Sequence, residues 1–402
     1  MAITGVTIPV QPVLAYTPTV YSLSSDDVNI VSLIIEIHNT ATTRIAAFSV
    51  QPDLGTTDEF TFDIQEVLKD NVSFILKTLG ASAVINDVDN MQYVVRAFEV
   101  TEVDGLLVTA YDPDDDNNSS FDYQSATGSA FNWRESHISL ASFDKTDYEL
   151  ISNASLFLTG SPNPKTIELG QNEFLGMGWS TITGMASKNF SFEILTFDAS
   201  GSTLSTDTLA VTDWNTFPVN YLIDPYLDAP VGTANLIAQG ISLTNVASYT
   251  IQLQSDDGDR SEIRTFNIVE GCPTDVRIHF VNRFGKQDSI TLKGNQIEGL
   301  TGKATTYQKS LGLTYDSSAF GRAVVQNIST NTYTAYSKSI GREELEFANS
   351  MLISKMAYME VDSNYFAILI EDGSKIVRNE SNMPIQFRLD FSLANQEKGH
   401  KG

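Results

Sequence analysis

Cysteine is almost absent: Cys272 is the only one in 402 residues, which excludes an internal disulfide. Histidine is scarce too, and His38, His137, His279 and His400 are scattered, so no Cys/His cluster of the kind that holds zinc is present. Basic residues are outnumbered, with 25 Lys and Arg against 50 Asp and Glu, for a formal net charge of −25. Such a surface repels phosphate backbones and anionic lipid, which argues against nucleic acid as a partner. Self-repulsion keeps a chain of this kind in solution, and docking to a basic partner or to divalent cations is the sharper alternative. No stretch reaches the roughly 18 apolar residues of a membrane-spanning helix, so no membrane insertion is expected. The opening residues carry no basic segment, and Pro9 and Pro12 interrupt their apolar run, so no signal peptide is expected.

What is present is globular: 42% of residues are apolar and 19% charged. At 402 residues the chain is too long for one ordinary core, and two or three domains are expected. Abundant Val, Ile, Phe, Tyr and Thr favour strands. The fold class that follows is mainly β and multidomain, with β-sandwich-like domains and a few short helices. Residues 1–111 read as an N-terminal β-sandwich. In it, 28–38 pairs with 43–50, Asp63 caps a short helix carrying Ile64, Val67 and Leu68 with Glu66 completing the box, and Gly105 turns strand 91–100 into 106–111. Residues 112–165 read as an extended acidic connection, draped over a neighbour. Residues 166–275 form a central β-sandwich with hairpins at 188–211 and 248–269. Residues 276–402 form a C-terminal β-rich domain whose helix at 342–353 lines up Leu345, Ala348 and Leu352, followed by a polar tail.

Few constellations carry chemistry. Asp112, Asp114, Asp116 and Asn118 alternate like the first half of a calcium loop. Asn117 stands where such a loop needs Gly, and Tyr123 where it needs Glu, so an EF-hand is disfavoured. The three aspartates remain weak candidates for a looser calcium site, against the reading of a solvated linker. Asp256, Asp257 and Asp259 sit in a turn that wants Asp and Gly for backbone reasons. Gly176-Met-Gly-Trp179 lacks the Ser of a nucleophile elbow, and Gly299-Leu-Thr-Gly302 lacks the Lys of a phosphate loop. Trp133, Trp179 and Trp214 could stack on sugars, or fill core or interface positions. His279 reads as a packed strand histidine. Asn282, Arg283 and Gly285 read as a structural turn between strands 276–281 and 288–293, with Arg283 either reaching a neighbour's carboxylate or lying solvated on the rim. No catalytic residue stands out, and a non-enzymatic protein is expected.

Two stretches bear a resemblance. Residues 11–25, followed by Ile34-Ile-Glu-Ile37 and Phe60-Thr-Phe-Asp-Ile-Gln-Glu-Val-Leu68, resemble the N-terminus of virion structural proteins of bacteriophages infecting Bacteroidetes. Ile278-His-Phe-Val-Asn-Arg-Phe-Gly285 and the strand after it, with the later Glu343-Glu344-Leu345, are similar to a strand–turn–strand and helix of the same proteins. The resemblance implies a tail, tail-tip or baseplate component made in the host cytoplasm and carried in the virion. Its partners would be other virion proteins and like copies in a symmetric ring or trimer. Alternatives are a neck or head-decoration protein, an adhesin that binds a host-surface receptor or glycan, and a polysaccharide depolymerase. The last would need an acid pair that the sequence does not single out.

Overall fold

The computed structural model describes residues 3–9, 13–39, 43–72, 74, 76–77, 83–86, 90–115, 120–131, 147–148, 155–178, 189–212, 226–256, 258–259, 261–294, 296–308, 322–338, 340–362, 364–371, 375–377 and 386–394. The chain is mainly β, with several sheets in more than one domain. It divides into two compact units: Met1–Thr159, Gly170–Phe266 and Arg283–Lys286 make the first, and Gly160–Leu169, Asn267–Asn282 and Gln287–Gly402 the second.

The first unit begins with a β-sandwich. Strands β1 (Ile3–Thr7), β3 (Val20–Ser25) and β6 (Glu59–Asp63) form a small sheet in the order β1-β3-β6, β2 being the short strand Val13–Leu14. The larger sheet is built around β8 (Asn90–Val103), which pairs with β4 (Ile30–Asn39) and, through it, with β5 (Thr43–Val50). On its other side β8 takes β9 (Leu106–Thr109), β10 (Tyr123–Gln124) and β11 (Gly128–Phe131) in turn. Alternation along the strands sends Tyr21, Leu23, Phe60 and Phe62 from one sheet, and Leu33, Ile35, Ile37, Tyr93 and Val95 from the other, into one core. The expected hairpin of 28–38 with 43–50 is the β4–β5 pair.

Two expectations need correction here. Residues 123–131, assigned by sequence to the extended connection, add β10 and β11 to the sandwich. Segments of two and four residues have too little pattern to announce a strand, and β8 supplies the backbone partners that make them one. The helix after β6 is Gln65–Asn71, and its N-cap is Ile64, without a side-chain cap. Asp63 stands one residue earlier and accepts from the amides of Gln65 (2.9 Å) and Thr19 (2.8 Å), while Glu66 pairs with Lys69. Ile64 and Leu68 are fully buried, as their spacing predicts.

A third sheet in this unit uses β13 (Phe174–Gly178), β14 (Phe190–Phe197), β15 (Thr203–Thr212), β16 (Tyr226–Pro230), β17 (Ser248–Ser255) and β19 (Arg264–Val269), with the short β18 (Gly258–Asp259) on β17. The short strand β12 (Lys165–Glu168) belongs to the second unit. The order β19-β17-β14-β15-β7-β16-β13 includes β7 (Ala83–Asn86), parallel to β15 and antiparallel to β16. Four residues that the sequence places in the N-terminal sandwich thus complete the central sheet. The expected β14–β15 hairpin is present, its turn closed by Asp198, which accepts from the amides of Ser200 and Ser202 at 2.8 and 2.9 Å.

In the second unit the order is β21 (Gln287–Leu292), β20 (Val276–Val281), β24 (Ala357–Val361), β25 (Asn364–Ile370), β27 (Gln386–Leu393), β23 (Arg322–Tyr336) and β22 (Gln296–Gln308), with β26 (Lys375–Val377) on β27. The helix Arg342–Leu352 starts where the Gly341 amide donates to the Glu344 carboxylate at 2.8 Å. Phe347, Ala348 and Met351 pack with Val276, Ile278, Phe280, Met359, Leu389 and Phe391. Leu352, which the sequence places in line with Leu345 and Ala348, is partly buried against this core, and the fully buried face extends round the helix through Met351 to Phe347.

Strands β20 and β21 are joined through residues 282–286, with Val281 opposite Gln287. Gly285 adopts φ 72°, a region that a β-branched residue enters only with strain. Replacing Gly285 by Val is expected to destabilise the fold by about 1–3 kcal/mol, read as an earlier midpoint in urea unfolding. An unchanged midpoint would show that the turn takes up the side chain without strain.

Candidate functional site

Among the described residues, three gatherings of charged side chains are largely buried. On β4, Glu36 and His38 are both fully buried, the His38 Nε2 lying 2.9 Å from a Glu36 carboxylate oxygen. Arg44, from β5, donates to the other oxygen at 2.9 Å. Its guanidinium also reaches the Tyr111 hydroxyl (3.3 Å) and the backbone carbonyls of Pro113 (2.7 Å) and Asp115 (3.4 Å).

The same arginine decides how the acidic tract lies. Asp112 accepts from the Asp114 amide at 2.9 Å, so its carboxylate closes a local turn. Tyr111 stands edge-on to Phe98, Arg96 lies over the Phe121 ring at 5.1 Å, and Asp122 accepts from the Glu99 amide at 2.7 Å. The described parts of 111–122 therefore rest on the outer face of their own sheet, where the sequence reading drapes the connection over a neighbour. Asp116 lies outside the described residues. Among the described residues no three His, Cys, Asp or Glu side chains are grouped as metal ligands.

The second gathering surrounds Asp228 of β16, whose carboxylate meets Lys77 at 2.7 Å and Lys286 at 3.3 Å. Gly176 lies directly opposite Asp228 in the sheet, and a Cβ there would come within 2.9 Å of the Lys286 stem. The Gly-Met-Gly stretch thus makes room for a buried lysine. The third gathering lies in the second unit. Gln287 donates to His279 Nδ1 at 3.1 Å, so Nε2 carries the hydrogen and donates to Glu360 at 2.6 Å. Arg277 Nε stands 3.3 Å from the same carboxylate, and another of its nitrogens donates to Ser289 at 2.7 Å. His279 is the packed strand histidine that the sequence predicts, and the partners of Arg277 explain why β20 is buried on both faces.

Of the turn residues, Asn282 donates to Asp288 at 2.7 Å and Gly285 supplies the positive φ. Arg283 is half-buried, with its guanidinium over the Phe284 ring at 4.6 Å. Trp133, Trp179 and Trp214 lie outside the described residues. A cavity of about 170 Å³ in the second unit has Lys165 in its wall, but that ammonium already donates to the Ser289 carbonyl at 2.8 Å and lies over Phe347.

One exposed hairpin end is rich in apolar side chains. Strands β8 and β9 close through Asp104 and Gly105, both at positive φ, and everything from 102 to 110 is exposed. A strand lying on a core alternates between buried and exposed positions, and this hairpin end does not. It holds Val103 (50% exposed), Leu106 (71%), Leu107 (67%) and Val108 (51%) in water, and among the described residues nothing pairs with the outer edge of β9. An apolar, unpaired edge of this kind leaves room for another chain to add to it. The hairpin itself is the one that Gly105 predicts.

Two substitutions probe this domain. Arg44→Ala leaves Glu36 buried with one partner fewer and is expected to cost about 3 kcal/mol in urea unfolding, with faster amide exchange around Asp115. A loss below about 0.5 kcal/mol, the scale of an ordinary surface substitution, would sink the anchoring role. Glu99 accepts from the Ser25 hydroxyl, and burial, with Asp122, Asp27 and Asp26 nearby, raises its pKa despite that bond. An acid whose folded pKa is raised favours the folded state most when protonated, and stability falls as pH climbs through that pKa. Glu99→Gln is therefore expected to melt above wild type at pH 7, with the gap closing toward pH 4. A lower melting temperature at pH 7 would refute this.

No protein-family model and no curated protein matches the chain. Among solved structures, it is similar to the FN1–FN3 domains of chicken CNTN1, at 8% identity over 83% of this chain and 92% of that one, with a TM-score of 0.19. Trypsin-activated alpha-2-macroglobulin from Escherichia coli is similar at 7% identity over 84% of this chain and 23% of that one, with a TM-score of 0.20. Likenesses at such scores carry no argument about what the chain does.

Proposed function

We propose that this chain is a structural component of a bacteriophage particle, of the tail or tail tip, made in the host cytoplasm and incorporated by docking to other virion proteins. The observation that carries the reading is the exposed apolar end of the β8–β9 hairpin. Hydrophobic side chains held in water on both faces of an unpaired edge stabilise nothing in the isolated chain, and become favourable once a partner covers them. The charge clusters support a structural role, since each is closed by packing and by its own pairs. The resemblance of residues 11–68 and 278–345 to virion structural proteins supplies the class of particle. The strong negative charge fits a protein that must stay soluble until it is assembled.

Leu107→Glu is the direct test. The side chain is exposed, so folding stability is expected to stay within about 0.5 kcal/mol of wild type. Incorporation into particles, measured by complementing a phage that lacks the gene and weighing the band in purified virions, is expected to fall at least tenfold. A variant that enters particles as wild type does would remove the hairpin as the docking element. A wild-type chain that never enters particles would remove the virion reading altogether.

A further inference from the structure

The second unit carries another hairpin that leaves its sheet. Strands β22 and β23 pair from Gln296 opposite Ala335 to Gln308 opposite Arg322. The far side of β23 is covered by β27 only from Thr332 to Tyr336. Beyond Thr332 the two strands continue as a ribbon, residues 299–308 against 322–331, roughly 30 Å long at the rise of a strand. Ala304, Thr305, Thr306, Tyr307 and Gln308 are all exposed, five in a row, so both faces of the ribbon meet water there. Among the described residues no strand pairs with either outer edge of this part. A two-stranded ribbon in water is marginal by itself, and its open edges present rows of amide and carbonyl groups to any strand that approaches.

Its charge sets it apart from the rest of the chain. Its paired strands, 299–308 and 322–331, hold Lys303 and Arg322 and no acidic residue, in a chain with twice as many acidic as basic residues. A basic arm on an acidic body is complementary to the body of another copy.

We infer that this arm is a self-association element that lies on the acidic surface of a second copy of the chain and adds its strands to an open sheet edge there. This deepens the assembly reading, on which it rests, by naming the like copy as the partner of the arm. The apolar β8–β9 hairpin is left to other virion proteins.

The test uses the purified full-length chain in sedimentation equilibrium and in amide hydrogen exchange across a concentration series. Self-association is expected to weaken at least tenfold between about 50 and 500 mM salt, because the contact pairs unlike charges. The amides of 299–308 and 322–331 that point away from the ribbon's own ladder are expected to exchange freely in the dilute monomer and at least tenfold more slowly once copies associate. Two variants accompany the wild type. One is Lys303→Glu with Arg322→Glu. The other replaces 300–331 by Asn-Gly, a two-residue turn suited to the facing pair Gly299 and Thr332. Both are expected to melt as wild type does and to associate at least tenfold more weakly. If the shortened chain fails to fold, the charge-reversed one decides. A wild type that stays monomeric throughout, variants that associate like wild type, or outward-facing arm amides already protected in the monomer would each overturn the inference. Leu107→Glu is expected to keep self-association. Arm-dependent association by a chain that never enters particles would leave the inference standing and the virion reading lost.

Discussion

Each strand carries hydrogen-bonding groups along both of its sides, and each side must meet another strand or water. Strand β8 shows how far this constraint organises the first unit. Its fourteen residues pair with β4 along one side and with β9, β10 and β11 in succession along the other. Segments with no strand character of their own are drawn into the sheet because the open side of β8 needs partners. The sandwich core, the seat of the acidic tract and the projecting hairpin all depend on where that one strand runs.

Charge inside the molecule is handled with the same economy of position. Glu36 with His38 and Arg44, Asp228 with Lys77 and Lys286, and Glu360 with Arg277 and His279 each join side chains from different elements. Taking such groups out of water is expensive, and their mutual attraction offsets it only when geometry is good. A misplaced strand would leave a carboxylate alone in a low-dielectric interior. The clusters therefore penalise wrong registers more than they stabilise the right one, and hydrophobic burial can do the stabilising without choosing among registers.

Hairpins were legible in the sequence where the turn chemistry was local. Asp198 to Ser202, Asp104-Gly105 and Asn282 to Gly285 announce reversals by residue type alone, and the flanking alternation does the rest. Strands β7, β10 and β11 were not legible, since two to four residues carry no period and their pairing is decided by remote segments. The buried clusters escaped for a different reason. The packing of His279 was readable, but the residues that meet it, and those that meet Glu36, come from remote segments that only tertiary structure brings together. The candidate site was hidden by an ambiguity: Leu106, Leu107 and Val108 carry the letters of a core while standing in water.

Arg44 reaches the acidic loop through main-chain oxygens, those of Pro113 and Asp115. Every amino acid supplies a carbonyl in the same place. These two contacts consequently survive a change of letter at 113 or 115, provided the spacing from Tyr111 is kept. Insertions and deletions there carry the penalty that substitutions escape, so relatives of this chain should differ in the letters of the loop and agree in its length.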